Sequence, residues 1–404
     1  MSIIFEIVSM QSLCTDNSPE RKQIMDKDNT IFFEKIRPLR DEIDRIDSEI
    51  LTLLARRQAQ VERVVTLKKA HKMPVYHPAR EEDLISRLRG QAAAAGMDPD
   101  FLEDLYRVIL RQSRIKQTRK MELKSIRPNA KILIVGGAGQ MGGLFAGLFL
   151  RSGYEVRILD KADWDNAREL CTGVDLVLVS VPIERTDEVV RTIAPWLSPG
   201  TVLADLTSVK QSPLSAMCRA HSGPVLGLHP LFGPTSDTLD KQIVVVCPGR
   251  DDAACQWVRD QLGIWGAIMV EASAEEHDQV MEIVQALRHF ATFCFGDFLY
   301  QRHIRLERTL EFSSPIYRLE LGMVGRLFAQ DPALYAEIIF ATPERRQLLR
   351  EYIDSFSRHL DMLDQNDKAG FIDQFNRVAG WFGPFGEQAM RESTFIINKL
   401  IERF

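Results

Sequence analysis

The residues of this 404-residue chain that could do chemistry fall into three sets. The first is Gly136-Gly137-Ala138-Gly139-Gln140-Met141-Gly142, which carries G-x-G-x-x-G directly behind the apolar run Ile132-Leu133-Ile134-Val135. A strand, a glycine turn and a helix in that order offer backbone N–H groups and a helix N-terminus to a pyrophosphate. Gly137 permits the tight turn, Gly139 lets the phosphates approach, and Gly142 lets the helix pack close. Asp160 ends the next apolar run, Val156-Arg157-Ile158-Leu159, where an acid accepts hydrogen bonds from ribose hydroxyls and repels a 2′-phosphate. NAD is therefore expected rather than NADP, although Lys161 beside it offsets part of that repulsion. Ser180-Val181-Pro182 ends a further strand and is expected to wall the cofactor cleft. A glycine-rich turn in an unrelated α/β domain is the alternative, but strand, helix and acid all fall where a dinucleotide fold requires them.

The second set is cationic. Arg57 and Lys68 lie eleven positions apart, about three helical turns, and continue the apolar line through Leu53, Val61 and Val64. A cation on an apolar stripe is costly unless it meets an anion, or unless its stem snorkels to solvent. Two on one line, with Arg80-Glu81 opening the next helix and Ser113 and Gln117 one turn apart on a third, favour an anion site. The third set centres on His229, which ends the apolar strand of Gly227-Leu228-His229-Pro230 and follows Asp205-Leu206-Thr207-Ser208-Val209-Lys210. A lone histidine is more often structural. At a strand end in a nucleotide-binding domain it becomes a candidate acid or base. Gln285 and His289 lie one helical turn apart and should face together.

The elements that must position these residues are legible in the hydrophobic period. Leu39, Ile43, Ile46, Ile50, Leu53, Val61, Val64 and Leu67 recur at helical steps, and Lys72-Met73-Pro74 should end that helix. A second helix starts near Ala79 and fades at Ala95-Gly96, and Asp98-Pro99 opens a third. So long a helix with so little to pack on predicts a homodimer of interleaved helices. From Lys131 the grammar changes. Apolar runs at 131–135, 155–159, 175–181, 201–206, 224–228, 243–247 and 267–270 alternate with helical stretches, the pattern of a mostly parallel α/β sheet. Beyond Glu275 the chain reads as helical, and its apolar stretch Phe290 to Phe298 suggests the main dimer interface.

The expected fold is thus multidomain. A disordered leader (1–30) precedes an all-α domain (31–122). A linker (123–130) leads to an α/β Rossmann-type domain (131–272), then to an all-α substrate-binding and dimerisation domain (273–404). The net charge of −5 argues against a general nucleic-acid binder, but 36–120 carries 18 Lys+Arg against 13 Asp+Glu, which suits a small anionic ligand. Six cysteines without a C-x-x-C pair predict neither disulfides nor a metal site, and fit a reducing cytoplasm. No stretch reaches the roughly 18 apolar residues of a membrane span.

Two resemblances sharpen these expectations. The span Ile36–Lys120, starting from Pro38-Leu39-Arg40-Asp41-Glu42-Ile43-Asp44, resembles the all-helical class of chorismate mutase. That resemblance implies Arg40, Arg57 and Arg80 on the substrate carboxylates, Lys68 and Gln117 on the ether oxygen, and Glu81 and Ser113 on the hydroxyl side. Arg40 lies about 100° around the helix from Arg57, so it would serve the partner subunit's site. Where some relatives carry an acid just before the second helix, this chain has His77. From Lys131 onward, the segments around Ser208 and His229, with Gln285-Ala286-Leu287-Arg288-His289-Phe290 and Ser313-Ser314-Pro315-Ile316-Tyr317-Arg318-Leu319-Glu320, resemble prephenate dehydrogenase. The implied reaction is NAD-dependent oxidative decarboxylation of prephenate to 4-hydroxyphenylpyruvate. His229 is then the acceptor or base for the ring hydroxyl, Ser208 orients it, and Arg326 holds a carboxylate, with Arg318 as a second candidate. Gln285 and His289 would belong to the substrate or tyrosine pocket. Together the two halves imply consecutive steps of tyrosine biosynthesis, from chorismate through prephenate, with tyrosine as inhibitor. Three alternatives stay open: arogenate as substrate, a helical segment that only dimerises or regulates, and a generic hydroxy-acid dehydrogenase.

Overall fold

The computed structural model describes residues 19–70, 78–120, 124–234 and 238–401. The chain divides into two compact units, Met1–Met121 and Glu122–Phe404.

The first unit is built from α1 (Pro19–Ala70), α2 (Pro78–Ala94) and α3 (Pro99–Lys120). Proline opens each helix, where its missing N–H would have had no intrahelical acceptor and its fixed φ is already helical. Helix α1 begins at Pro19, inside the stretch read as a disordered leader, and runs through Pro38. The rest of the leader, the stop at Lys72-Met73-Pro74 and His77 lie outside the described residues. Val65, Ile85, Ala92 and Leu110 are buried, but the α1 stripe is not: Leu39 is 64% exposed and Leu53 58%. The periodicity predicted a buried face, and one protomer leaves that face uncovered.

The second unit contains a seven-stranded sheet among the described residues: β1 (Lys131–Val135), β2 (Glu155–Leu159), β3 (Leu176–Val179), β4 (Val202–Asp205), β5 (Val225–Pro230), β6 (Ile243–Arg250) and β7 (Ile268–Glu271). The order is β2-β1-β3-β4-β5-β6-β7, parallel throughout except for the β5–β6 pair. Each expected apolar run became a strand, with ends displaced by up to three residues. Strands β3 and β4 are buried along their whole length, because helices cover both faces and a continuous apolar run is what such a position selects. Those helices are α4 (Gln140–Arg151), α5 (Ala167–Cys171), α6 (Ile183–Ile193), α7 (Gln211–Ala220) and α8 (Asp252–Ile264). Phe145, Phe149 and Trp265 anchor one layer, and Val190, Ile193 and Met217 the other. Because β2 and β3 flank β1, the strand order reverses beside β1, and the loops after β1 and β3 meet at a crevice.

After β7, Ser273 caps α9 (Ala274–Met281) by accepting from the Glu276 N–H. The helix then widens into a single π turn, Glu282–Leu287. It continues as α10 (Arg288–Gln301), α11 (Leu306–Glu311), α12 (Pro315–Phe328), α13 (Pro332–Phe340), α14 (Pro343–Asp364), α15 (Lys368–Phe382) and α16 (Pro384–Ile401). Sheet and C-terminal helices belong to the same compact unit.

Candidate active sites

In the helical unit, Arg57 on α1 donates from Nη1 to Ser113 Oγ on α3 at 2.9 Å, while Ser113 donates to the Ile109 carbonyl at 2.8 Å. Glu81, in the first turn of α2, accepts from Arg114 Nη1 at 2.5 Å, with only 18% and 15% of the two side chains exposed. Lys68 is half-buried: burial lowers its pKa, and the neighbouring Glu81 carboxylate partly restores it. Gln117 Oε1 and Gln58 Nε2 are buried without a hydrogen-bond partner. A groove of about 600 Å³ opens between α1 and α3, lined by Arg57, Gln58, Ser113, Leu54 and Val108. One protomer thus joins Arg57 to Ser113 and Lys68 to the Glu81–Arg114 pair, with Gln117 one turn beyond Ser113 on α3. Arg40 does not join them, being exposed, and Arg80 is exposed beside Asp83 at 3.6 Å. Glu81, expected at a substrate hydroxyl, has its carboxylate held by Arg114, a residue the spacing did not single out. The cluster has fixed cations, amides and a hydroxyl. It can clamp an anion and stabilise charge growing on an oxygen.

In the second unit the glycine loop corrects one expectation. The residue with positive φ is Gly136 (φ 83°), not Gly137. A Cβ on Gly136 would stand 2.3 Å from the Ser180 carbonyl oxygen, and one on Gly142 would stand 2.3 Å from the Gly136 carbonyl oxygen. Gly137 faces the Ile158 side chain, which a Cβ would meet at 2.9 Å. Side chains are therefore excluded from the floor of the loop, and Ser180-Val181, directly after β3, lies against it. Gly139 caps α4. Gln140 and Met141 open that helix, and Pro182 caps α6. Asp160 accepts from the Ala138 N–H at 3.0 Å and from Lys161 N–H at 2.8 Å, which orients its carboxylate on the loop. Two further lone-pair directions stay available for hydroxyl donors.

His229 lies at the C-terminal end of β5 and is buried. Its Nδ1 is 2.8 Å from His277 Nε2, and His277 Nδ1 is 2.8 Å from Asp278 Oδ1. On the other side of the ring, Gln285 Nε2 in the π turn stands 3.3 Å from His229 Nε2. Asp278 also accepts from the Lys210 and Gln211 N–H groups at the start of α7, at 2.8 and 2.9 Å. Burial alone would raise the Asp278 carboxyl, but the hydrogen bonds from His277 and the two amides hold it below the usual carboxylate range. Burial, with the charges of Lys210, His277 and Arg345, pushes His229 well below the ordinary imidazole range. His229 is therefore neutral at neutral pH. Lys210 is fully buried, pairing with Asp205 Oδ2 at 2.5 Å and donating to the Leu228 carbonyl at 2.8 Å.

The other expected residues fall differently. Ser208 is half-buried and is not among the hydrogen-bond partners of His229, whose ring nitrogens face His277 and Gln285. His289 does not share Gln285's partner: its ring packs edge-on against Tyr335 at 4.7 Å, and burial lowers its pKa to about 4. Arg326 is exposed, and Arg318 donates to the Leu310 carbonyl at 2.6 Å, tying α12 to α11.

Sequence comparison adds the family. Residues 39–118 match chorismate mutase type II, 151–271 the nucleotide-binding domain of prephenate dehydrogenase, and 273–378 its dimerization domain. The glycine loop precedes the second of these spans, so its reading stands on geometry. The T-protein of Enterobacter agglomerans is 45% identical over 361 residues, spanning 89% of this chain and 96% of the relative. The T-protein of Haemophilus influenzae is 42% identical over 369 residues, spanning 91% of this chain and 98% of the relative. The chain belongs to the T-protein family. It is a chorismate mutase joined to a prephenate dehydrogenase, an isomerase and an oxidoreductase of tyrosine biosynthesis on one polypeptide. A crystal structure of Aquifex aeolicus prephenate dehydrogenase with hydroxyphenyl propionate and NAD+ shares the fold of the second unit, with 21% identity, TM-score 0.50, and 63% of this chain and 98% of that one covered.

For this member of the T-protein family, spacing missed four residues that the fold delivers to its two sites: Arg114, His277, Asp278 and Arg345. Arg345, at the start of α14, is fully buried; its Nη1 donates to the Ile338 carbonyl, while Nε and Nη2 have no partner. Adjacent His and Asp in an acidic helix start gave no periodic signal, and Arg345 reads in sequence as one of several charges on a solvated helix. A fully enclosed guanidinium is visible only once the elements are packed.

Proposed function

We propose that the helical unit holds chorismate by its carboxylates through Arg57, Arg80 and the partner subunit's Arg40. Lys68 and Gln117 would donate to the ether oxygen, with Ser113 and Glu81 on the hydroxyl side. The half-buried Lys68 supports this reading, as does Gln117, whose side-chain amide is buried with its oxygen unpartnered and so is not committed to the protein at that atom. The rearrangement needs no nucleophile, only a held conformer and a donor where the breaking ether gains charge.

The second unit takes prephenate and NAD, with domain limits at 131–272 and 273–404. The loop floor closed to any Cβ and the oriented Asp160 fit a dinucleotide with a free ribose 2′-hydroxyl. When bound, NAD accepts the hydride from the ring carbon that bears the hydroxyl. The electron pair of the bond to the departing carboxylate becomes part of the aromatic ring. His229 accepts the hydroxyl proton as hydride leaves, and that proton is back on the phenol oxygen in the product. The observation that carries this reading is the burial of a neutral His229 at the carboxyl edge of the sheet whose first turn is the dinucleotide loop. Lys210 is matched by its Asp205 partner, Asp278 is already committed to three donors, and Arg345 is left as a buried guanidinium with two unpartnered nitrogens acting on His229. An incompletely paired guanidinium suits the dianion prephenate better than the ammonium group of arogenate.

Tyrosine carries the same phenolic hydroxyl and is expected to inhibit. A homodimer is supported by the uncovered apolar faces of both units, and a reducing cytoplasm by the unpaired cysteines among the described residues. The test is absorbance at 340 nm with NAD and, in turn, prephenate, chorismate and arogenate. NADH from the first two is expected, with the chorismate signal alone lost in Lys68→Ala. A signal from arogenate without one from prephenate would overturn the substrate assignment.

A further inference from the structure

We propose that Asp278 and His277 are positioning residues of the dehydrogenase step, which set His229 in the tautomer whose Nε2 lone pair faces the substrate hydroxyl. The inference rests on His229 being the proton acceptor.

It follows from donor and acceptor bookkeeping along one buried chain. Asp278 is an ionised carboxylate that accepts from two backbone N–H groups, so it has no proton to give. The 2.8 Å contact from its Oδ1 to His277 Nδ1 therefore requires the hydrogen on His277 Nδ1. A neutral imidazole carries one N–H, which makes His277 Nε2 an acceptor. Facing it at 2.8 Å, His229 Nδ1 must be the donor. The remaining nitrogen, His229 Nε2, is then an unprotonated base. Among the described residues its only visitor is the Gln285 amide at 3.3 Å, a long contact that a substrate hydroxyl can displace.

The alternative is a charged His277 with the His229 tautomer reversed. The groups facing the pair are Lys210 before α7 with its Asp205 partner at the end of β4, Asp278 on α9, Glu282 and Gln285 in the π turn, and Arg345 on α14. Arg345, incompletely paired, and Lys210, even beside Asp205, press against positive charge on His229, and Nδ1–H on His229 with an accepting His277 Nε2 is the arrangement that places no cation on either ring. When the hydroxyl proton reaches His229 Nε2, the positive charge is shared through Nδ1–H to His277 and the Asp278 carboxylate. The proton then returns to the phenol oxygen, so no proton is gained or lost overall.

Asp278→Asn tests this directly. An asparagine that keeps its oxygen on the Gln211 N–H presents N–H to His277 Nδ1, giving up the Lys210 N–H. That reverses both rings and places the hydrogen on His229 Nε2. The expected result is a fall in dehydrogenase kcat of about 10²–10⁴ with KM for prephenate little changed. The acid limb of kcat/KM should move to lower pH, because losing a negative charge makes His229 harder to protonate. NADH binding, read by protein fluorescence, should persist and reports that the unit is folded. His277→Gln, whose Oε1 can accept from His229 Nδ1, should retain clearly more activity than His277→Leu. A wild-type rate and pH profile in Asp278→Asn, with His229→Asn inactive, would overturn the relay alone. Full activity in His229→Asn would remove the proton-acceptor reading beneath it.

Discussion

Lys68 shows how a single residue can combine stability cost with catalytic use. It is half-buried on a helix, and burial pulls its pKa down while Glu81 resists. The mutase needs the charged ammonium, so activity should be fully present at low alkalinity and lost as pH rises through that lowered pKa, earlier than for a free lysine. Lys68→Arg, which does not titrate in this range, should move that limb upward, and Lys68→Ala should cost about 10²–10³ in mutase rate while sparing prephenate oxidation. A pH series on both activities of one preparation decides it. Arg114→Ala should release Glu81 from its 2.5 Å partner and raise KM for chorismate more than it lowers kcat, with Arg114→Lys intermediate. Arg57 and Lys68 were legible because both lie on one helix, where separation converts to angle. Arg114 and Glu81 are 33 positions apart on different helices, and His229 and His277 are 48 apart, so no local period could join them.

At the scale of elements, strand existence followed from continuous apolar runs, and strand ends did not, because register with neighbours decides where pairing stops. The loop after β1 is the place where backbone geometry is strictest. Gly136 combines a positive φ with a neighbour 2.3 Å from any Cβ. Gly136→Ala is therefore expected to displace β3 from the loop, weaken NAD binding at least tenfold, about 1.4 kcal/mol, and leave the mutase rate unchanged. Isothermal titration with NAD, beside a chorismate assay, separates the two effects. The glycine motif was readable from sequence, but the position bearing the strained turn was not, since G-x-G-x-x-G begins at Gly137 and the positive φ falls on the glycine before it. The π turn at Glu282–Leu287 was equally silent: its apolar pattern is compatible with an unbroken α-helix, and only the packed structure presents Gln285 to His229.

Over the whole molecule, the largest mismatch between sequence and isolated chain is uncovered apolar surface. Trp381 is 81% exposed, Phe375 65% and Phe385 56%, all on the last helices, besides the stripe on α1. The sequence pointed to Phe290–Phe298 for dimerisation, while the larger exposed aromatic set lies beyond Phe371. Surface of that kind marks an association face. Trp381→Lys should shift sedimentation toward a single chain and make the melting temperature depend more steeply on protein concentration. Arg40 carries a genetic consequence. Its side chain is exposed about 100° around α1 from Arg57, so each pocket would draw on both copies. Two chains dead for the mutase, Arg40→Ala and Lys68→Ala, should then complement one another: refolded together in equal amounts, half the dimers are mixed and each mixed dimer regains one intact pocket, restoring about a quarter of the wild-type rate.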